Sequence, residues 1–279
     1  MIRTIEIKRK ELNFKDFVRR SAKESDYGTL ITEPTLVTEN GNPRILYINL
    51  DDEFTKYLRQ SCKNIKYEEN TRTTGLKTRS RIFGYNPRNT IRKDYCSSTS
   101  MARESPTEHG IICGFGEHLA KLYEQYFPEI YNKHRDLVND NNLNEWKIEN
   151  TPFTSGIVNK DNQLKYHFDS GNITNVLSNM IVFKRNCKGG FLSCPEFNIG
   201  LECADNTAVL FDGQNILHGV TPIDKKPKGY RYSVVYYSLR QMWNCLPVTE
   251  EIARARQVRK VREHKRANGL VSIDDLQKD

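Results

Sequence analysis

Two histidines and one aspartate in the second half of the chain form a set that can bind iron. His167 and Asp169 are separated by one residue, and His218 follows later in the chain. Two histidines and one carboxylate are the facial triad that holds non-haem Fe(II) and leaves coordination positions open. A lone His-x-Asp is common by chance, so the prediction of a metal site depends largely on the later histidine. We predict that the three residues are the metal ligands and the catalytic centre.

An arginine and a serine follow the second histidine. Arg231 and Ser233 are two residues apart, so both side chains face the same side if this segment is a strand. A planar guanidinium forms two parallel hydrogen bonds with a carboxylate, which suits the distal carboxylate of 2-oxoglutarate. The Ser233 hydroxyl can add a donor to the same ligand. Taken alone, Arg231 fits a salt bridge at a rim better.

Short apolar segments separated by turn residues surround these side chains. A pattern of many short strands is typical of an all-β sandwich or barrel. Residues 153–158 and 163–167 flank an Asn-Lys-Asp-Asn turn, which predicts a hairpin. The other predicted strands are residues 44–50, 177–183, 200–203, 207–211, 216–220 and 230–239.

Helices are predicted before and after this region. A short helix should begin near Asp51, and Ser105 to Glu108 is a capping box with proline at the first helical position. That helix should run to Tyr126 and a second should cover residues 129–138, both packed on the sheet as a buttress. A last helix should follow Pro247.

The composition indicates a folded, basic protein. The chain has 279 residues, 37% of them hydrophobic, and a net charge of +8. This balance favours a polyanionic partner, nucleic acid before membrane. Residues 72–103 contain eight Lys or Arg against one Asp, and residues 254–266 contain seven against one Glu. The first stretch is either a solvated loop or a surface that follows a nucleic-acid backbone, with Phe83 and Tyr85 available for stacking.

The cysteines and the N-terminus bear on location. The seven cysteines are scattered and include no Cys-x-x-Cys pair, which argues against a disulfide framework and a structural zinc site. The N-terminus has no apolar signal region, and no apolar run is long enough to cross a membrane. We therefore expect a soluble protein of a reducing compartment that does not contact membrane.

Several motifs carry a resemblance to a known family, which covers about residues 80–240. They are His167-Phe-Asp169-Ser-Gly-Asn172, Gly189-Gly190-Phe-Leu-Ser-Cys-Pro-Glu196-Phe197, Leu210-Phe-Asp212-Gly213, His218-Gly-Val-Thr-Pro222, Arg231-Tyr-Ser233 and the upstream Phe83-Gly-Tyr-Asn-Pro-Arg88. The sequence resembles Fe(II)/2-oxoglutarate-dependent dioxygenases with a double-stranded β-helix core. Within them it is similar to the TET/JBP group, which oxidises the methyl group of 5-methylpyrimidines in nucleic acid.

The resemblance implies a fold and an organisation. The fold would be mainly β with flanking helices, an α+β protein whose jelly-roll core is buttressed by helices. Residues 1–79 would form an N-terminal extension packed on the core, residues 80–246 the dioxygenase core, and residues 247–279 a basic C-terminal helix and tail.

The resemblance also implies ligands and roles. His167, Asp169 and His218 would bind Fe(II), Arg231 and Ser233 would bind 2-oxoglutarate, and O2 would be the oxidant. Asn172 matches a position that contacts the target base, although a turn residue in Ser-Gly-Asn is an equal interpretation. Arg88 would help hold the cosubstrate or DNA.

The expected reaction is oxidation of 5-methylcytosine or thymine in DNA to the hydroxymethyl base, or further. A duplex would have to extrude the target base. The presence of Asp169 favours hydroxylation, because a small residue there would open a halide site. The chain lacks the cysteine-rich zinc region of animal members, so we expect a compact microbial or viral member, acting in the cytoplasm or the nucleus of a host cell. A monomer is compatible with the sequence.

Three alternatives stay open. Nucleic-acid demethylases of the alkylation-repair type usually carry a second arginine six residues after the first, where this chain has Tyr237. A hydroxylase of a protein or small molecule is opposed only mildly by the basic stretches. The last alternative is a non-catalytic β-sandwich that binds nucleic acid.

Overall fold

The computed structural model describes residues 2–71, 77–88, 94–141 and 143–269. The strands lie in two regions of the chain, one before and one after a helical segment. They are β1 Arg3–Ile7, β2 Thr29–Ile31, β3 Thr35–Glu39, β4 Asn42–Asn49, β5 Glu68–Thr71, β6 Lys77–Asn86, β7 Ser97–Ser98, β8 Ser155–Lys160, β9 Ser178–Gly189, β10 Leu192–Cys194, β11 Ile199–Leu201, β12 Thr207–Phe211, β13 Gly219–Val220 and β14 Ile223–Tyr237.

The α-helices lie mainly between β4 and β8. They are α1 Asp52–Asn64, α2 Ser100–Glu104, α3 Pro106–Tyr126, α4 Pro128–Asp140 and α5 Val248–Ala267. Short 3-10 helices cover Phe14–Asp16, Glu24–Asp26, Leu143–Trp146, Pro195–Phe197 and Arg240–Asn244. None of the described helices is both long enough and apolar enough to span a membrane.

The strands form two sheets that face each other. The larger sheet has the order β1-β3-β4-β12-β9-β14-β8-β6-β5, with β7 paired to β6, and the smaller has the order β13-β10-β11-β2. An apolar core that includes Tyr47, Val182, Leu192 and Val209 lies between the sheets. The described strands form this two-layered, jelly-roll type of fold and no closed barrel, which confirms the predicted class of a β-rich core with flanking helices.

Strand β14 lies between β9 and β8 and is central to the larger sheet. Successive side chains of a strand point to opposite faces. Tyr232, Val234 and Tyr236 belong to the core under the helices, whereas Arg231 and Ser233 line a cavity between the sheets. Alternate side chains of β14 therefore either pack in the core under the helices or line the cavity as candidate site residues.

Helix α3 covers the other face of the larger sheet. The Tyr236 hydroxyl donates to the Ile112 carbonyl at 2.6 Å, and the Tyr123 hydroxyl accepts from the Leu177 amide at 2.9 Å. Two tyrosines thus tie the helix to the sheet and to the segment before β9. The predicted bounds of α3 are confirmed, but the Ser105 side chain makes no capping hydrogen bond.

The N-terminal strands complete both sheets. Strand β4 pairs in antiparallel register with β12, and β2 pairs in parallel with β11 of the smaller sheet. The expected division after residue 79 lies inside β6. The larger sheet is therefore continuous across that position, and the division of the chain into an N-terminal extension and a core stays a proposal.

The predicted hairpin around residues 159–162 is wrong. Strand β8 pairs with β6 and β14, and residues 163–167 form no strand. Asn162 turns inward instead, where its amide accepts from the Arg79 amide at 2.8 Å and donates to the Arg79 carbonyl at 3.1 Å. This pairing lets the chain leave the larger sheet and cross toward the smaller one.

Two other expectations need correction. Phe83 is fully buried in the core under the helices, so it cannot stack on a base, and Tyr85 packs edge-on against Trp146. Cys96 and Cys245 form a disulfide across 149 residues, with Cα atoms 5.7 Å apart. The sequence spacing could not reveal this pair because the fold, not a local motif, brings the two cysteines together.

Candidate active site

The three predicted metal ligands meet at one end of the space between the sheets. The His167 and His218 Nε2 atoms lie 3.6 and 3.7 Å from Asp169 Oδ1. One donor atom from each side chain lies within 4.8 Å of the others. The set offers two imidazole nitrogens and one carboxylate oxygen, as the facial triad of non-haem iron requires.

Backbone pairing brings the two histidines together. They form an isolated antiparallel bridge, in which the His167 amide donates to the His218 carbonyl at 2.9 Å and the reverse bond is 3.1 Å. The Asp169 amide donates to the Gly213 carbonyl at 2.8 Å. Each of the three ligands is therefore placed by backbone hydrogen bonds as well as by its side chain.

Both imidazole rings are oriented by a carbonyl two residues earlier. His167 Nδ1 donates to the Lys165 carbonyl at 2.8 Å, and His218 Nδ1 donates to the Ile216 carbonyl at 2.9 Å. This leaves the Nε2 lone pairs free to bind a metal. Burial, and then the neighbouring His167, lower the pKa of His218 to about 4, so this ring is a neutral ligand at physiological pH.

A glycine leaves room for the carboxylate. A Cβ atom on Gly213 would lie 2.2 Å from Asp169 Oδ2 and 3.4 Å from His218 Cε1. Any larger residue would therefore push the carboxylate out of place. Gly213 belongs to the Asp-Gly motif that the sequence carries, but its role here follows from geometry.

A cavity of about 290 Å³ extends from the triad into the space between the sheets. Arg231, only 2% exposed, lies in its wall, and its Nε and one terminal nitrogen have no described hydrogen-bond partner. Burial lowers the pKa of Arg231 from its usual value. A buried cation with two nitrogens that lack hydrogen-bond partners is costly, and a ligand carboxylate in the cavity would provide those partners.

The residues beside Arg231 complete a polar wall. Ser233, on the same face of β14, accepts from the Asn159 side chain at 3.4 Å, and Asn159 in turn accepts from Asn162 at 2.9 Å. All three line the cavity. Sequence reasoning missed Asn159 and Asn162 because it assigned them to a hairpin turn, although an asparagine within an apolar strand is itself a signal.

The structure separates the two other predicted site residues. Asn172 lines the cavity, where its side chain donates to the Ser178 hydroxyl at 3.2 Å and its carbonyl accepts from Gln214 at 2.6 Å. Arg88 lies elsewhere and donates two hydrogen bonds, of 2.6 and 2.8 Å, to the buried Glu251 carboxylate. The sequence could not show this pairing, since Glu251 is far away along the chain.

The donor set and the wall fit Fe(II) and 2-oxoglutarate together. The triad offers three donor atoms, and the Arg231 guanidinium, two of whose nitrogens lack a described hydrogen-bond partner, lines the same cavity. The family model for the TET/JBP oxygenase domain of the 2OGFeDO superfamily matches residues 80–240. The chain belongs to this family. As a member of the superfamily it uses Fe(II), 2-oxoglutarate and O2.

Solved structures agree with the family at the level of the fold. The TET/JBP chain is similar to NgTET1 in complex with 5mC DNA, with a TM-score of 0.54, 16% identity, and coverage of 78% of this chain and 84% of that one. A 2OG-Fe(II) oxygenase family oxidoreductase from Burkholderia pseudomallei matches with a TM-score of 0.45 and 13% identity over 70% and 85% of the two chains. OsALKBH1 matches with a TM-score of 0.44 and 11% identity over 71% and 97%. The last two scores are too low to carry an argument, and no curated protein sequence matches the chain.

Proposed function

We propose that this oxygenase hydroxylates the 5-methyl group of a pyrimidine, 5-methylcytosine or thymine, in DNA. The observation that carries the proposal is the shared cavity, which is lined by the triad and by an Arg231 guanidinium with two nitrogens that lack a described hydrogen-bond partner. The family match supports the reaction type. The substrate is supported by the similarity of the fold to a TET protein that was solved with 5mC DNA.

Each residue has a definite task in this proposal. His167, Asp169 and His218 hold Fe(II), while Arg231 and Ser233 fix the distal carboxylate of 2-oxoglutarate at the far wall. When bound, these groups supply with O2 an oxidant that replaces a C–H hydrogen by hydroxyl, as 2-oxoglutarate becomes succinate and CO2. His218 is buried, which limits the access of water to this side of the site.

Asn172 and the mouth of the cavity would position the base. The Asn172 side chain is held by Ser178, and its carbonyl is held by Gln214. This support leaves the amide oriented toward the cavity, where an amide can pair with the polar edge of a pyrimidine. A methyl group within a stacked duplex cannot reach the triad, so the target nucleotide would be extruded.

The decisive experiment is an oxidation assay with defined oligonucleotides. Purified protein with Fe(II) and 2-oxoglutarate is incubated with duplexes that contain 5-methylcytosine, or thymine as the only methylated base. Mass spectrometry of the digested nucleosides should detect the hydroxymethyl product from at least one duplex. Asp169→Ala should abolish product formation, and full activity of that variant would overturn the metal assignment.

The same assay separates the alternatives. A duplex with 1-methyladenine tests for demethylation, because that reaction releases formaldehyde and leaves no hydroxymethyl base. If the protein binds iron and consumes 2-oxoglutarate but gives no hydroxymethyl product from either duplex, the proposed substrate is wrong.

A further inference from the structure

An N-terminal segment outside the family match lies against the stretch of chain that carries two of the three predicted iron ligands, His167 and Asp169. We call residues 14–23 the N-terminal segment. The Arg19 amide donates to the Tyr166 carbonyl at 2.9 Å, and the Tyr166 amide donates to the Arg20 carbonyl at 2.9 Å. Tyr166 directly precedes His167, so the segment is fixed beside the catalytic centre.

The segment presents an aromatic ring at the cavity. The Phe14 ring packs edge-on against Phe168, with centroids 5.2 Å apart. Phe168, which lies between His167 and Asp169 in the chain, lines the cavity. Phe14 is nevertheless 40% exposed, and Val18 is 39% exposed. An apolar surface of this kind beside a reaction cavity is well placed to contact the substrate.

The charge around this aromatic surface is positive. Residues 8–23 contain seven Lys or Arg and two acidic residues. Arg9 is paired with Glu39 and Glu196, and Arg20 with Asp26. The remaining cations are exposed and form no ion pair with any residue that the structure describes: Lys8, Lys10, Lys15, Arg19 and Lys23.

The backbone of Arg19 is itself unusual. Its φ is 71°, in the left-handed region that costs a non-glycine residue about 1 kcal/mol or more. The bond from its amide to the Tyr166 carbonyl holds this conformation. The conformation lets the segment turn directly toward Tyr166, which precedes His167, with an exposed arginine at the turn.

We propose that the N-terminal segment is a DNA-contacting element of this enzyme. Lys15 and Arg19 bind phosphates beside the target nucleotide, and Phe14 makes apolar contact with the neighbouring nucleotide at the cavity mouth. Exposed cations interleaved with an exposed ring match the chemistry of nucleic acid, in which charge and π-faces alternate. The inference rests on the proposed function, since it assumes that DNA is the substrate.

The test measures DNA binding as a function of salt. A fluorescently labelled duplex with one 5-methylcytosine is titrated with the full-length protein from 50 to 300 mM salt, and anisotropy gives Kd. The double variant Lys15→Ala/Arg19→Ala should weaken binding about tenfold or more at low salt. It should also reduce the slope of log Kd against log salt by about 0.9 for each lost phosphate contact.

Phe14→Ala supplies an independent readout. It should weaken binding about 5- to 100-fold, the range of a lost stacking contact, without changing the salt slope. A matched control, Lys121→Ala/Arg135→Ala, removes two exposed cations from α3 and α4 and should change neither quantity. Circular dichroism melts establish that every variant is folded.

The outcomes distinguish this inference from the proposed function. If the wild type binds and oxidises DNA but the segment variants keep its affinity and salt slope, the inference is wrong and the function stands. An equal loss in the control pair would mean that only total charge matters, which also overturns the inference. If the wild type neither binds nor oxidises DNA, both proposals fail.

Discussion

At the scale of single residues, the two histidines that we propose as iron ligands are oriented in the same way. Each ring donates its Nδ1 proton to the carbonyl two residues before it. The tautomer is therefore set by local backbone geometry before any metal binds. The histidines and the aspartate could be proposed from the sequence by their residue types and spacing. The expected strand at residues 163–167 is absent, and an isolated bridge between His167 and His218 brings the two rings together instead. The carbonyl groups that accept from the two rings could not be predicted, since their positions depend on the local backbone conformation.

Gly213 gives the first prediction. Gly213→Ala should weaken Fe(II) affinity about 10- to 100-fold, the usual effect of disturbing a group that supports a ligand, because the new Cβ overlaps the Asp169 carboxylate. Anaerobic titration with Fe(II) measures this affinity. Gly110→Ala on α3 is the matched control, because a Cβ there meets no atom within 4 Å. Unchanged affinity in Gly213→Ala would show that Asp169 is free to move.

Replacing Arg231 should raise the Tm of the ligand-free protein and remove its stabilisation by 2-oxoglutarate. Arg231→Met should raise the Tm of the protein without 2-oxoglutarate, because it removes a buried cation with unsatisfied nitrogens that costs about 1–3 kcal/mol. The same variant should lose the increase in Tm that 2-oxoglutarate gives the wild type. Differential scanning fluorimetry measures both effects.

The control for Arg231 is an exposed arginine of the adjacent strand. Arg185→Met on β9 lies beside Tyr230 in the sheet register and should respond to 2-oxoglutarate as the wild type does. If Arg231→Met keeps the full ligand-induced shift, the carboxylate of 2-oxoglutarate binds elsewhere.

At the scale of elements, the sequence predicted helices and strands better than the connections that pass from one sheet to the other. The bounds of α3 and β12 follow from apolar periodicity and turn residues, and the structure confirms them. The wrong hairpin at residues 159–162 arose because asparagine and aspartate favour turns of many kinds. The tertiary pairing of Asn162 with Arg79 decides which kind of turn forms. A local sequence pattern cannot reveal this long-range contact.

Helix α4 contributes a buried histidine that should make stability depend on pH. Ser238 donates to the Pro152 carbonyl at 2.6 Å, so it accepts from His134 Nε2 at 2.8 Å, and His134 Nδ1 has no described partner. Burial lowers the pKa of His134 to about 3. The unfolded chain therefore binds a proton below about pH 6.5 that the folded state rejects.

The expected result is a loss of folding free energy as the pH falls from about 6.5 toward 3. The contribution of His134 should approach 1.4 kcal/mol per pH unit, and His134→Gln, which keeps a donor toward Ser238, should remove it. Urea unfolding at pH 7, 6 and 5 measures the slope. An equal slope in His134→Gln and wild type would contradict the assignment.

Helix α5 is attached by a covalent and a polar link. Cys245 precedes the helix and is bonded to Cys96, while the buried Glu251 accepts from Arg88, from the Cys96 amide at 3.0 Å and from the Leu246 amide at 2.9 Å. Cys245→Ser should lower the free energy of unfolding by about 2–5 kcal/mol. Chemical denaturation without reductant measures it, with the free Cys187→Ser as control. If Cys245→Ser has the same free energy of unfolding as the wild type, the disulfide does not contribute to stability.

At the scale of the whole molecule, the number of basic residues is larger than the number that are not engaged in ion pairs within the fold. Several of the basic residues that drew attention in the sequence are engaged within the fold: Arg81 with Glu68 and Glu104, Arg88 with Glu251, and Arg254 with Asp94. Residues 8–23, which the sequence pattern did not single out, leave five exposed cations without a described ion-pair partner, and part of this stretch contacts Tyr166 and Phe168. Net charge favours a polyanionic partner in general, whereas the structure indicates which cations are not engaged within the fold.

The fold also requires more chain than the family match contains. Residues 1–79 supply large apolar side chains that are nearly fully buried: Ile31, Val37, Ile45, Leu46, Tyr47, Leu58 and Ile65. Burial of such side chains contributes about 1.5–3 kcal/mol each, so the set is comparable with the entire net stability of a domain, about 5–15 kcal/mol. Deletion would also leave β12 without its partner β4 and expose a sheet edge.

A chain that begins at residue 80 should therefore fail to fold, although it contains every predicted iron and 2-oxoglutarate ligand. Far-UV circular dichroism and urea unfolding should show no cooperative transition, or the fragment should be insoluble. Deletion of residues 253–279 is the control, because α5 buries only Glu251 and this cut retains it. A cooperative transition in the fragment from residue 80 would mean that the N-terminal strands are an accessory layer, and the division after residue 79 would then mark an independent folding unit.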